Sequence, residues 1–310
     1  MVENGKGDRR DLVRKSQVEV LEEYDNKMQG IFEHMRRMCS DNGQREEIAS
    51  KLLVEVSNIL ETPAFEDIIQ PEMVKYFEHD ALNFRNSVVG FLKLVQSDLL
   101  QNREDGSQIS GLEQQLDFLQ SNWEYYRLVL EDLLLRIPST NGIEAKKIIE
   151  RDKKQPIADF LKILDKYISE KAVIGGRTLE KEINLDEEKI KKLRVAIPFG
   201  VLFNFLHNCV SNATFAKVKA ENFKFSILEA GEELVFEFWD DGIGIDEDVK
   251  GKIYDEGFTT KDGNGLGLAN AAERMTRFGS SVSVESSPNP NPGKGEWATK
   301  FILKIPIIKE

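Results

Sequence analysis

DEGFTTKDGNGLGLANA, residues 255–271, decides how this chain reads. It sets Thr259, Thr260 and Lys261 ahead of glycines at every second position, Gly263, Gly265 and Gly267, and then enters a helical segment, LGLANAAERMTRFG (266–279). Glycine-rich backbone before a helix N-terminus, with a lysine beside it, makes an anion site, because free N–H groups and the positive end of the helix dipole converge there. The stretch is not a Walker loop, since GxxxxGK[ST] is absent. Nor is it the Rossmann turn, whose glycines open a βαβ unit after a first strand. The expected ligand is a phosphate group.

Two stretches upstream fit such a ligand. In VAIPFGVLFNFLHNCVSNATFAKV (195–218), Leu202, Leu206, Cys209, Ala213 and Ala216 form an apolar helical stripe, while Asn204, Asn208 and Asn212 fall four apart on the opposite side. Asparagine is a poor helix former because its amide competes with the backbone, so three in one stripe need a purpose. An amide oxygen suits Mg²⁺, which leans on substrate phosphates. In EELVFEFWDDGIGI (232–245), a strand would place Leu234, Phe236, Phe238 and Asp240 on one face. A carboxylate ending a core-facing row needs a donor, and an adenine amine would serve. Gly242 and Gly244 then permit positive φ and a bare backbone against the base. SSVSVESS and EWATKFILKIPI read as closing strands, which makes the back half an α/β sandwich.

The front half reads as helices. Leu21, Tyr24, Met28, Ile31, Met35 and Met38 mark one seam, and a second helix spans about 44–60. Val74, Phe77, Ala81, Phe84, Val88, Phe91 and Val95 keep a three–four alternation, as do Ile109, Leu112, Leu116, Leu119, Trp123, Tyr126, Leu130, Leu133 and Ile137. The polar turn NREDGSQ (102–108) makes these two helices antiparallel neighbours. Each seam stays half covered in one hairpin. Two copies would close a four-helix bundle as a homodimer; alternatively, the N-terminal helices cover the hairpin within one chain. On its polar face the first hairpin helix carries His79 and, one turn on, Asn83. His34 and His207 read as solvated surface histidines.

Composition bounds the rest. A net charge of −12 opposes a general nucleic-acid surface. Two distant cysteines fit a reducing cytoplasm. No apolar run approaches the ~20 residues of a membrane span, and the N-terminus lacks a signal-peptide core. The chain reads as cytoplasmic, with an upstream sensor protein as one source of its signal.

In their order these pieces resemble the ATP-binding domain of sensor histidine kinases, from the superfamily shared with gyrase B, heat-shock chaperone and mismatch-repair ATPases. NFLHNCVSNA resembles the N box, DDGIG the first glycine box, IYDEGFTTK the F box and GNGLGL the second glycine box, with ATKF at the family's terminal Gly-Thr-x-Phe. HDALNFRNSVVGFLKLV (79–95) resembles the H box of the dimerisation and phosphotransfer helices, with Phe84 and Arg85 where the family has Pro-Leu. The resemblance implies an α+β protein with segments 1–62 (N-terminal helices for input or dimerisation), 63–138 (hairpin), 139–150 (linker) and 151–310 (ATP-binding domain). It implies ATP and Mg²⁺ as cofactors, with His79 as phospho-acceptor, Asp80 as its activator and Asn83 as water-positioning residue. Asn208 would hold Mg²⁺, Asn204 and Asn212 would line the phosphate or ribose side, Asp240 would read adenine, and Thr299 would support the base. Thr260, Lys261, Gly263, Gly265, Leu266, Gly267 and Leu268 would form the lid. Ser211 and Asn212 depart from the N box, where a Lys or Arg and an aromatic or histidine are usual; Lys217 or Lys261 could supply the charge. The implied activity is autophosphorylation on His79 and transfer to a response regulator receiver domain. The alternatives are a phosphotransfer scaffold or phosphatase, a serine kinase of the dehydrogenase-kinase type, or a chaperone- or topoisomerase-like ATPase.

Overall fold

The computed structural model describes residues 17–40, 45–61, 112–135, 142–255 without Ala216, 258 and 267–308, with four isolated positions between 93 and 100. The expected first hairpin helix and its turn lie outside the described residues, as do His79, Asp80, Asn83, Phe84 and Arg85. The chain divides into two compact units, Met1–Leu116 and Asp117–Glu310.

In the first unit, α1 (Gln17–Ser40) and α2 (Arg45–Glu61) bury Met28, Ile31, Phe32 and Met35 from one and Ala49, Leu52 and Val56 from the other. The three–four spacing of these residues gives each helix one apolar stripe. His34 is not a plain solvated histidine: its Nδ1 lies 3.2 Å from Glu55 Oε2 across the pair.

Helix α3 (Leu112–Leu134) enters the second unit at Asp117. It is followed by α4 (Gly142–Lys154), so most of the expected linker is helical, and by α5 (Ile157–Ile174). Then come β1 (Thr178–Asn184), the short α6 (Glu187–Ile190), α7 (Phe199–Ala213), β2 (Asn222–Ala230), β3 (Glu233–Asp240), the short α8 (Glu247–Lys250), α9 (Gly267–Arg277), β4 (Ser281–Ser286) and β5 (Thr299–Pro306). The five strands form one sheet in the order β1-β2-β3-β5-β4. β1 runs parallel to β2 and the other pairs are antiparallel. Gly231, with φ of 69°, opens the two-residue turn between β2 and β3, where a first-position glycine relieves the clash of a left-handed φ. The mixed α+β architecture expected from the sequence is present, and the closing strands pair as β4 and β5.

One sheet face is apolar: Phe223, Phe225 and Ile227 of β2, Leu234, Phe236 and Phe238 of β3, and Phe301, Leu303 and Ile305 of β5 are all buried. They share a core with α7, which buries ten of its fifteen residues, and with Phe160, Leu164 and Ile168 of α5. Tyr125 and Leu128 of α3 belong to this same core. Burial of large apolar side chains, each worth about 1.5–3 kcal/mol, holds these elements together.

Candidate nucleotide-binding site

Helix α7 starts after Pro198, which occupies the N-cap with extended backbone and is preorganised for a helix start. It ends at Ala213; Ala216 of the expected stripe lies outside the described residues. Asn204, His207, Asn208, Ser211 and Asn212 are its half-exposed residues. Asn208 Nδ2 donates to the Asn204 carbonyl at 2.8 Å and to Asn204 Oδ1 at 2.9 Å. Because a carbonyl only accepts, this fixes the amide and leaves Asn208 Oδ1 as the atom for a cation. The donor set therefore fits Mg²⁺, whose ligands are hard oxygens.

His207 corrects the surface reading as well. Its Nδ1 lies 2.6 Å from the Tyr167 hydroxyl and its Nε2 lies 3.4 Å from Ser211 Oγ. The ring packs against Tyr167 and Phe203, with Tyr125 completing the aromatic cluster. Ser211, at the position where a cation was missed, is thus tied into a buried aromatic assembly.

Strand β3 delivers Asp240 to the edge of the core, opposite Phe223 on one side and Thr299 on the other. The carboxyl is buried, and the hydrogen bond it accepts comes from Gly242 N–H at 3.0 Å. Burial, with Asp241 adding and the Gly242 N–H offsetting, pushes its pKa up to about 7. Such a group accepts a donor readily, since ionisation then gains a partner. Cys209 of α7 is near enough that, after burial itself, the Asp240 charge raises its thiol.

The neighbouring Asp241 was quoted in the sequence without a role. It is the post on which the loops hang. Oδ1 accepts from Glu221 N and Asn222 N at 2.9 Å each; Oδ2 accepts from Asn222 Nδ2 and from Gly295 N at 3.0 Å. Burial raises its pKa, but these bonds outweigh it and hold the carboxyl below the usual range. Two adjacent aspartates therefore have opposite electrostatics: one is saturated with donors, the other is waiting for one. The Asp-Asp pair itself was the available signal, because both cannot face the core of one strand.

Of the two glycines expected to permit positive φ, Gly244 does so, at 74°, and a side chain there would strike the Ser287 carbonyl. Gly242 has ordinary φ; a Cβ on it would collide with Val218 and the Asp240 carboxylate. Both are required by protein packing that shapes the loop beside Asp240.

Thr299 is buried, with Oγ1 3.0 Å from Ser286 Oγ. Ser286 donates its proton to Ala298 O and accepts from Ile245 N. Thr299 must then donate to Ser286 and keep lone pairs toward its surroundings. Ser286, which was missed from the sequence, thereby orients Thr299. Helix α9 begins at Gly267 and half-buries Leu268. Thr260, Lys261, Gly263, Gly265 and Leu266 lie outside the described residues. No helix among the described residues is long and apolar enough to cross a membrane.

A buried carboxyl at a strand end, a braced glycine loop and an asparagine-striped helix thus lie within one segment of the chain. Residues 199–308 match the family described as histidine kinase-, DNA gyrase B-, and HSP90-like ATPase. That segment is similar to this family, and the chain resembles sensor histidine kinases. Signal transduction histidine-protein kinase AtoS of Escherichia coli is 25% identical over 253 residues, 76% of this chain and 34% of that protein. Sensor protein KdpD of Clostridium acetobutylicum is 23% identical over 197 residues, 51% of this chain and 21% of that protein. The matches thus span 21% to 34% of these relatives' own length. Among solved structures, the catalytic domain of histidine kinase ThkA is 23% identical with a TM-score of 0.40, covering 49% of this chain and 92% of that one.

Proposed function

We propose that the chain is a cytoplasmic, homodimeric sensor histidine kinase that transfers the γ-phosphoryl group of ATP to His79 and from there to an aspartate of a response regulator. The observation that carries this reading is the buried Asp240 carboxyl, raised toward neutrality beside Gly242 and in register with Thr299. In this reading Asp240 accepts the adenine amine and Thr299 Oγ1 supports the base. Asn208 Oδ1 ligates Mg²⁺, which neutralises phosphate charge when bound, and Asn204 and Asn212 line the phosphates or ribose. Lys261 and the glycines at 263, 265 and 267 close over the phosphates above the N-terminus of α9. The lid also contains Thr260, Leu266 and Leu268.

Phosphoryl transfer requires the nucleophile in line and water excluded. Neutral imidazole is available near pH 7. The His79 nitrogen forms the bond to phosphorus as the bond to the ADP oxygen breaks, and Asp80 accepts the ring proton. Asn83 positions water when the partner is dephosphorylated. The segment boundaries 62/63, 138/139 and 150/151 remain part of this reading, with 1–62 transmitting the signal.

A second reading, a phosphotransfer scaffold or phosphatase with weak kinase activity, is favoured by Ser211, whose hydroxyl faces His207 at the position where the N box it resembles often has Lys or Arg. One experiment separates the two: incubation with γ-labelled ATP and Mg²⁺, for wild type and His79→Ala, followed by acid and base treatment. Acid-labile, base-stable label that is lost in the variant supports the kinase. Acid-stable label points to a serine kinase. Nucleotide binding without label leaves the scaffold reading.

A further inference from the structure

A cluster of buried charge lies away from the nucleotide groups, where the end of α3 meets three other helices. Glu131, Asp132 and Asp152 are fully buried. Glu131 is paired with Arg127 and with Arg151 of α4, at 2.8 Å each. Arg151 also holds Asp152 at 2.7 Å, and the other oxygen of Asp152 accepts the N–H of Phe199, the first residue of α7, at 2.9 Å. Asp132 pairs with Arg274 of α9. Between these links the backbones of α3 and α7 touch: a Cβ on Gly200 would lie 2.5 Å from the Leu128 carbonyl and 2.9 Å from Asp132 N.

Buried ion pairs are expensive, and apolar residues of similar volume stabilise a fold as well or better. The expense is visible at Asp152, where burial and the Glu131 charge raise the carboxyl against Arg151 and the Phe199 N–H. What the pairs add over apolar packing is direction. Glu131–Arg151 and Asp132–Arg274 tie α3 to α4 and to α9, and Asp152 ties α4 to the first residue of α7, so the asparagine helix and the helix that follows the glycine-rich stretch are both held in register.

We propose that Glu131 and Asp132 are positioning residues for nucleotide binding, which through Arg151–Asp152 and Arg274 set the attitude of α7 and α9 and couple nucleotide occupancy to α3. The inference rests on the nucleotide-binding reading. Coupling of this kind is reciprocal: whatever displaces α3 alters nucleotide affinity, and nucleotide alters α3 to the same extent.

The test is hydrogen exchange on the whole chain, with and without a non-hydrolysable ATP analogue and Mg²⁺, followed over 117–134. Analogue affinity is measured for wild type, Asp132→Asn, Arg274→Gln and the double variant. Expected are slower exchange in 117–134 on analogue binding, single variants roughly two- to thirtyfold weaker, and a double variant no worse than the weaker single, as for one shared link. Analogue binding with unchanged exchange in 117–134 would overturn the inference. So would variants that lose thermal stability while binding the analogue as tightly as wild type. No analogue binding by wild type would instead remove the nucleotide reading, and this inference with it.

Discussion

Acidification should weaken adenine binding, and Asp240 sets the size of the effect. Its carboxyl is raised from 3.8 to about 7 in the ligand-free domain, first by burial. An exocyclic amine only donates, so it needs the carboxylate, and binding must expel the proton. With a pKa of about 7, roughly a tenth of the sites are ionised at pH 6 and nine-tenths at pH 8. Apparent affinity should therefore fall about tenfold between pH 8 and pH 6 and level off above pH 8. The same shift acts on folding with a definite sign. Between 3.8 and about 7 the folded ligand-free domain keeps a proton that the unfolded chain has released. Asp240 thus contributes stability at low pH that is lost as pH rises through this window, on the order of 4 kcal/mol in all. The assay is displacement of a fluorescent nucleotide by adenosine from pH 5.5 to 8.5; adenosine has no titrating phosphate to mimic the effect. Asp240→Asn should bind weakly and without a slope. Affinity that stays flat, or improves on acidification, would refute the reasoning. A slope retained in Asp240→Asn would assign the titration to another group.

Gly200→Ala drives a methyl into the α3 backbone at Leu128 and Asp132; overpacking of this kind should cost about 3 kcal/mol, read as a lower denaturant midpoint with unchanged m-value. Gly244→Ala combines a left-handed φ with a clash on the Ser287 carbonyl, so it should cost at least about 1–2 kcal/mol and lower nucleotide affinity in a titration. Asp241→Asn turns an N–H₂ toward one of two donor pairs, Glu221 N with Asn222 N or Asn222 Nδ2 with Gly295 N, and should cost about 3 kcal/mol. Because the Asp241 pKa is lowered, its contribution is present above the ordinary carboxylate range and lost as pH falls through the depressed value, so the acid limb of a stability–pH curve should flatten in this variant.

The elements of the candidate site were legible because each writes a local irregularity into a regular pattern. Leu234, Phe236 and Phe238 alternate toward the core and Asp240 continues their row, so its burial follows from the pleat. Asn204, Asn208 and Asn212 repeat every four residues opposite an apolar stripe, so the polar side of α7 could be read from spacing alone. The interlock at the end of α3 was not legible, for a different reason. The three–four seam through Leu116 and Trp123 assigns one apolar face to the helix and leaves Tyr125, Leu128, Glu131 and Asp132 as its outer side. A helix with one stripe is read as covering one neighbour. This helix has two buried sides, and the second contains carboxylates, which composition treats as solvated by default. Only the partners, Arg151 and Arg274, from distant parts of the chain, make that side compatible with burial. His207 follows the same rule: alone on the polar face it reads as solvated, and Tyr167 from another helix is what gives it a partner. Residues whose role is fixed by their own helix or strand can be found from spacing. Residues whose role is fixed by a distant charge or hydroxyl require the fold, and here those are the residues that join α3 to α4 and α9, and α5 to α7.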